Sequence, residues 1–253
     1  MMKTRLITLL IAVTTIIGSA YAQKKIEVYK KIEVYKKGEV VYSEYITDID
    51  SIKFKEQTAQ NGHEYVDLGL SVKWATCNVG ADSPEEYGYH FAWGETSPKT
   101  TYNWSTYKYC NGDEYSMTKY CDDSFGTVDN KTTLELSDDA ARVNWGGKWR
   151  MPTRAELSEL ENTSNCSWTW TTQNGVKGYK VTSKKNGNSI FLPAAGYHDY
   201  GGLDAVGGRG YYWSSSLSRG YSYTAYYLDF YSGSVDRVSN ERYYGQSVRA
   251  VFE

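Results

Sequence analysis

Three regimes of hydrophobic and polar patterning succeed one another along the chain. Residues 6–17 are apolar apart from threonines, a run shorter than the roughly 20 residues that cross a bilayer. Lys3 and Arg5 precede it and Ala20-Tyr21-Ala22 follows it, so the pattern predicts a cleavable signal peptide over residues 1–22, cut before Gln23. Residues 23–55 alternate. The unit KIEVYK at 25–30 recurs unchanged at 31–36, and a degraded third copy begins at Lys37. A six-residue period keeps strand parity, which puts Ile26, Val28, Ile32 and Val34 on one face and Glu27, Tyr29, Glu33 and Tyr35 on the other. One strand of that whole length would be unusual, and the repeat is too short for a solenoid. Two or three short strands ending at Ile52-Lys53-Phe54 are predicted. Residues 56–62 (EQTAQNG) are polar and predict a linker.

From residue 63 onward the periods mix. Strands are predicted over 65–75, with a turn at Gly69, and over the aromatic stretch 88–94; residues 95–136 read as long polar loops. Ser137-Asp138-Asp139 caps a short helix running to residue 144, with acids in its first turn where the dipole favours them. Thr153 and Glu156 form a capping box that opens a second helix, TRAELSELEN, with Leu157 and Leu160 facing inward. Strands return at 178–183, 189–192, 211–215, 225–230 and 247–252, with Ser232-Gly233 as a hairpin turn. Two helices among many short strands and long loops predict an α+β domain over 63–253, preceded by the small β segment.

Composition adds three constraints. A formal net charge of −2 argues against nucleic acid as a partner, since such binders carry a basic face. With 25 Tyr and 8 Trp against 6 Phe, the chain is rich in side chains that join apolar area to a polar handle and suit gripping surfaces. The four cysteines Cys77, Cys110, Cys121 and Cys166 suggest disulfides in an exported chain, with three pairings open. Cys110 and Cys121 bracket a polar loop and make the most economical pair, leaving Cys77 with Cys166. Zinc is disfavoured, because no C-x-x-C occurs and His63, His90 and His198 lie far from any cysteine in sequence. No second apolar run of spanning length follows the signal, and no cysteine sits at the cleavage point. The expectation is an exported chain that is periplasmic, surface-exposed or secreted, with no transmembrane segment and no lipoprotein tether.

Candidate chemistry favours binding. Alternation within 225–230 places Tyr226, Leu228 and Phe230 inward and Tyr227, Asp229 and Tyr231 outward. Together with Trp213, Tyr221, Tyr223, Arg237, Asn240, Arg242, Tyr243 and Tyr244 they form the predicted ligand surface, whose mix of aromatic anchors and adaptable hydrogen bonders resembles an antibody paratope. No catalytic constellation is apparent. Ser214-Ser215-Ser216 lacks the G-x-S-x-G elbow, Gly207-Gly208-Arg209-Gly210 precedes a strand rather than a helix, and Glu156, Glu159 and Glu161 read as the exposed side of the second helix. Asp113, Glu114, Asp122, Asp123 and Asp129 crowd one loop and admit a structural calcium through oxygen ligands. Acidic loops are usually just solvated, so no cofactor is expected.

The succession GLSVKWATCNVGA, EYGYHFAWGET, GGKWRMPTRAELSEL, GNSIFLPAAGY, GYYWSSS and GQSVRAV resembles the Fibrobacter succinogenes major paralogous domain from residue 63 to the end. The block order recurs in exported proteins of gut Bacteroidetes, and YITDIDSIKF resembles a short N-terminal module found on them. The resemblance implies a C-type-lectin-like fold, two helices flanking a sheet with long loops at one end, in a family mostly without assigned activity. Within it, Trp149 and Pro152 are fold determinants, and Arg249 should meet a buried carboxylate or carbonyl. The chain departs where family members place cysteines, carrying Asn144-Trp145 and Ala250 there instead. It also lacks the Glu-Pro-Asn, Gln-Pro-Asp and Trp-Asn-Asp tripeptides of calcium-dependent sugar sites. Formylglycine-generating enzymes share the broad fold but use paired cysteines near the C-terminus, and none follows Cys166. The expected function is an exported, non-enzymatic recognition or adhesion module for a glycan or a surface protein. The alternatives are a fimbria-like component assembling through its N-terminal strands and, from the Tyr-rich C-terminal pattern, a variable binding protein of a diversity-generating retroelement.

Overall fold

The computed structural model describes residues 30–36 and 39–46 and the chain from residue 59 to 253. Two compact units meet at the boundary between Glu56 and Gln57. The signal-peptide expectation over 1–22 and the Ile52-Lys53-Phe54 strand end lie outside the described residues. In the first unit the second copy of the repeat forms β1 (Lys30–Lys36), antiparallel to β2 (Glu39–Ile46), with Lys31 opposite Tyr45 and a register shift between Val34 and Tyr35.

The second unit is mixed α+β, mostly sheet with few helices. It opens with a hairpin of β3 (Ala59–Gln60) and β4 (His63–Val66). Asn61 and Gly62 turn between them with φ of 52° and 85°, the left-handed pair that two-residue hairpins favour. The stretch read as a linker therefore ends in a strand and a turn. Next come β5 (Lys73–Ala75), β6 (His90–Phe91), α1 (Ala140–Trp145), β7 (Trp149–Arg150) and α2 (Arg154–Glu161). A run of strands follows: β8 (Cys166–Gln173), β9 (Val176–Ser183), β10 (Ser189–Pro193), β11 (Tyr197–Asp199) and β12 (Gly202–Asp204). The chain finishes with β13 (Arg209–Leu217), β14 (Thr224–Tyr231), β15 (Ser234–Glu241), β16 (Gln246–Ser247) and β17 (Val251–Phe252). One five-stranded sheet has the order β15-β14-β13-β16-β6 and another β3-β4-β5-β17-β7; β10-β9-β8 and β11-β12 make smaller sheets. Among the described residues no helix is long and apolar enough to cross a membrane.

Local chemistry accounts for both helices. Asp139 caps α1 by accepting from the Arg142 amide at 2.9 Å. At α2 the Thr153 hydroxyl accepts from the Glu156 amide at 3.2 Å while the Glu156 carboxylate accepts from the Thr153 amide at 2.7 Å, a reciprocal box. Leu157 and Leu160 are buried on the inner side of α2, each contributing about 2 kcal/mol of apolar burial.

The predicted terminal strand over 247–252 is split between two sheets, and Arg249 sits in the gap. It is 1 % exposed and donates to Asn78 Oδ1 at 2.9 Å, to the carbonyls of Ala75 and Thr76 at 3.0 and 2.8 Å, and to Phe191 O at 2.8 Å. Carbonyl dipoles satisfy this buried cation, and Phe191 is thereby joined to the loop after β5.

Candidate functional site

The β15-β14-β13-β16-β6 sheet is covered on both faces, and this decides which predicted site residues are reachable. Tyr211, Trp213, Ala225 and Tyr227 belong to one hydrophobic cluster; Tyr212, Leu228 and Phe230 belong to the other. The expectation that Tyr227 and Asp229 point to solvent and Tyr226 inward is therefore corrected. Tyr227 and Asp229 are each 6 % exposed, Tyr226 is half-buried, and only Tyr231, at 46 %, lies open at the strand end. A one-sided sheet would have produced the predicted alternation; packing on both faces removes it.

Three further predicted contacts are core residues. Trp213 is fully buried and its indole donates to Phe91 O at 2.8 Å. Tyr243 is buried with its ring 4.9 Å from that of Trp104. Arg242 has no exposed surface. It donates to the Tyr107 hydroxyl at 2.7 Å and to the carbonyls of Ser222, Lys119 and Tyr120 at 2.8, 3.0 and 3.1 Å, so it gathers the long loop against the sheet.

What the structure assembles at the surface is an aromatic shelf. The β11–β12 hairpin carries Tyr200 at its tip, where Asp199 Oδ1 accepts from the Gly201 amide at 2.7 Å and fixes the turn. His198 and Gly245 exchange backbone hydrogen bonds of 2.8 and 3.0 Å, tying the hairpin to the segment after β15. Gly245 is required there, since a Cβ would lie 2.6 Å from the Tyr102 ring. Rings then follow in unbroken contact: Tyr200 to Tyr243 at 5.4 Å, Tyr243 to Tyr244 at 4.5 Å, Tyr244 to Tyr197 at 5.5 Å, Tyr197 to Tyr211 at 4.7 Å and Tyr211 to Tyr227 at 5.7 Å. Tyr200 is 66 % exposed, and Tyr197 and Tyr244 are partly buried, packed against the hydrophobic cluster that holds the buried rings. Leu203 in β12 and Val206 just after it are also exposed.

A charged clamp closes the far end of the shelf. The Arg209 guanidinium pairs with Asp229, Nε lying 2.7 Å from Oδ1, and its centre lies 5.2 Å from the Tyr211 ring and 5.5 Å from that of Tyr231. Burial pushes the Tyr211 hydroxyl up to about 12, so it remains a neutral donor and acceptor across physiological pH. Successive ring planes differ by 67°, 24°, 61°, 48° and 15°, so the surface is faceted and aromatic, and among the described residues it presents no nucleophile activated by a base. Ser214 donates to Tyr226 O at 2.7 Å, and the Ser216 hydroxyl accepts from the Arg154 amide at 3.1 Å. These hydroxyls are structural.

The remaining predicted residues disperse. Tyr221, 58 % exposed, lies beside Tyr223, which packs on Phe125 at 4.8 Å. Asn240 Oδ1 accepts from the Glu241 amide at 3.0 Å. Arg237 pairs with Glu161 on the α2 side of the sheet. Tyr197, Tyr200, Tyr211 and Arg209 were missed by the sequence reading, although Tyr-His-Asp-Tyr-Gly-Gly at 197–202 carries a hairpin signal of aromatics around a glycine pair.

The acidic loop is organised by its own backbone. Asp129 accepts from the amides of Tyr120, Cys121 and Lys131 at 3.0, 2.9 and 3.1 Å, and Asp123 from those of Phe125 and Ser222 at 2.9 and 2.8 Å. Those bonds hold both carboxyls below the usual range against the opposing effect of burial. Among the described residues no group of three His, Cys, Asp or Glu could hold a metal ion.

The proposed cysteine pairings are corrected as well, because all four are free thiols. Cys77 donates to Ala81 O at 3.1 Å and Cys110 to Trp104 O at 3.2 Å. Cys121 and Cys166 are buried in different hydrophobic clusters.

A family described as a domain of unknown function (DUF8237) matches residues 158–251, the stretch that contains the whole aromatic shelf. No curated protein and no solved structure matches the chain.

Proposed function

We propose that the second unit is a C-type-lectin-like recognition domain of the Fibrobacter-paralogous kind, carried by an exported protein, and that it binds glycan without catalysing a reaction. The observation that carries this reading is the contiguous ring chain from Tyr200 through Tyr243, Tyr244 and Tyr197 to Tyr211. Pre-ordered tyrosines lose little freedom on binding and offer an apolar face with a polar tip, which complements the alternating C–H face and hydroxyl rim of a sugar ring. The two helices, the predominance of sheet and the long loops over 95–136 support the lectin-like assignment. Probing a glycan array with the chain, with and without chelator, tests the reading. Chelator-insensitive binding to a defined set of glycans is expected, because the shelf needs no cation.

The N-terminal hairpin favours a second reading. In a two-stranded sheet both strands are edges, and open edges pair with strands of other chains. Assembly into a surface structure through residues 30–46 follows from this reading, and polymerisation lost on removal of that segment would mark it.

A further inference from the structure

A concave site lies on the opposite face of the β13–β14–β15 sheet from the shelf, and its chemistry differs. An open groove of about 630 Å³ runs between the start of α2 and the ends of these strands, within the range of small-ligand sites. Arg154, Arg219 and Arg237 line it together with the hydroxyls of Thr133, Thr153, Ser158 and Ser216.

The three arginines are unequally neutralised. Glu161 pairs with Arg237. Asp122 stands 3.9 Å from the largely exposed Arg219 and already accepts from the Gly220 amide at 3.2 Å and the Ser222 hydroxyl at 3.0 Å. Arg154 has no carboxylate within ion-pair distance among the described residues. It is also the first residue of α2, where the positive end of the helix dipole disfavours a cation. What holds it is the Tyr226 ring, 4.1 Å from the guanidinium carbon. Stacking on a ring face leaves the N–H edges of the planar fork free, the geometry that takes a carboxylate or a sulfate through two parallel hydrogen bonds. An arginine held against the local field, stacked and unpaired is explained if an anion completes it.

The rest of the lining narrows the class of anion. The groove is open at the surface, and hydroxyl-bearing side chains line it beside Ala155, Leu217 and the Tyr226 ring, a mixture that suits the hydroxyls and C–H faces of a sugar chain lying along it. We infer that this groove binds an acidic polysaccharide, a sugar chain bearing carboxylate or sulfate groups, with Arg154 and Arg219 as the anion contacts. The site shares no residue with the tyrosine shelf, so it stands or falls separately from the shelf reading.

Affinity electrophoresis of the full chain through native gels containing polygalacturonate, dextran sulfate, neutral dextran or polyglutamate tests it. Retardation by polygalacturonate, by dextran sulfate or by both is expected, weakening with salt and absent with dextran. Polygalacturonate alone would identify the carboxylate and dextran sulfate alone the sulfate. Arg154→Ala and the charge reversal Arg219→Glu should each weaken retention about tenfold or more, with Arg154→Lys intermediate and Tyr200→Ala without effect. Both arginines are exposed, and Arg219 lies outside every helix and strand, so a variant that fails to fold at one position leaves the other to report. The proposal is overturned by no retardation in either acidic gel, by retardation that both arginine variants leave unchanged, or by equal retardation in polyglutamate.

Discussion

Tyr243 and Tyr244 are neighbours in sequence, yet their rings stack at 4.5 Å with 24° between the planes. Successive side chains of an extended strand point apart, so this contact requires the turn after β15, where the Tyr244 amide donates to Glu241 O at 3.2 Å. One ring is set into the core beside Trp104 and the other is left at the surface beside Tyr197. The pair thus couples a buried anchor to a partly buried ring at the surface.

That division predicts opposite phenotypes for adjacent substitutions. Tyr243→Ala should cost about 3 kcal/mol of stability through a cavity next to Trp104. Tyr244→Ala should leave stability within about 1 kcal/mol and weaken glycan binding roughly tenfold. Urea titrations of the two variants, alongside binding assays, check both. Equal destabilisation by the two changes would contradict the assignment.

Arg242 was read as a ligand contact and is instead a buried tie. Arg242→Met keeps the stem length and leaves the carbonyls of Lys119, Tyr120 and Ser222 without their donor. A loss of about 3–5 kcal/mol is expected by analogy with other broken buried charge networks. A midpoint shift in denaturant worth under 1 kcal/mol would show that the loop does not depend on this arginine.

Adjacent acids carry opposite pH signatures. Burial pushes Asp139 up to about 6, only partly offset by its amide donors. Burial also acts on Asp138, but hydrogen bonds from Lys119 and Tyr120 outweigh it and bring the group down to about 2. The raised group contributes stability that is complete below its unfolded value near 3.8 and lost as pH rises to about 6. The depressed one contributes stability that is complete above 3.8 and lost as pH falls toward 2. Melting curves of Asp139→Asn and Asp138→Asn against the parent should therefore diverge in these two separate windows, the first between pH 4 and 6 and the second below pH 4. A parallel pH dependence for both variants would refute the assignment.

Free thiols give a direct count. Thiol titration of the unfolded chain, prepared without reductant, should find all four cysteines reactive. In the folded state Cys77, Cys121 and Cys166 are buried and should react slowly, with half-buried Cys110 reacting first. Burial pushes the Cys77, Cys110 and Cys166 thiols up, which slows them further at neutral pH. Two unreactive equivalents in denaturant would restore a disulfide.

The features legible in the sequence are local ones. The box of Thr153 with Glu156, the spacing of Leu157 and Leu160, and the Ser232-Gly233 turn each act within a few residues, and each appears as read. The faces of β14 were not legible, because aromatic and apolar side chains occupy both parities of TAYYLDFY and only the second cover, packed from distant segments, explains why. The shelf was half legible for the same reason. Tyr243 and Tyr244 stood in a conspicuous cluster, whereas Tyr197 and Tyr200 lie over forty residues upstream and meet them only through the His198–Gly245 backbone bonds. Arginines were unevenly legible: Arg249 meets buried carbonyls as expected, whereas Arg242 in the core and Arg154 at the surface look alike until their partners are placed.

The most direct test of glycan recognition is a quantitative array comparison of the parent chain with the Tyr200→Ala/Tyr244→Ala double variant. The parent should bind a defined set of glycans, and the double variant should lose that set, by tenfold or more in affinity, while melting within a few degrees of the parent. A parent that binds no glycan, or a folded double variant that binds as well as the parent, would contradict it.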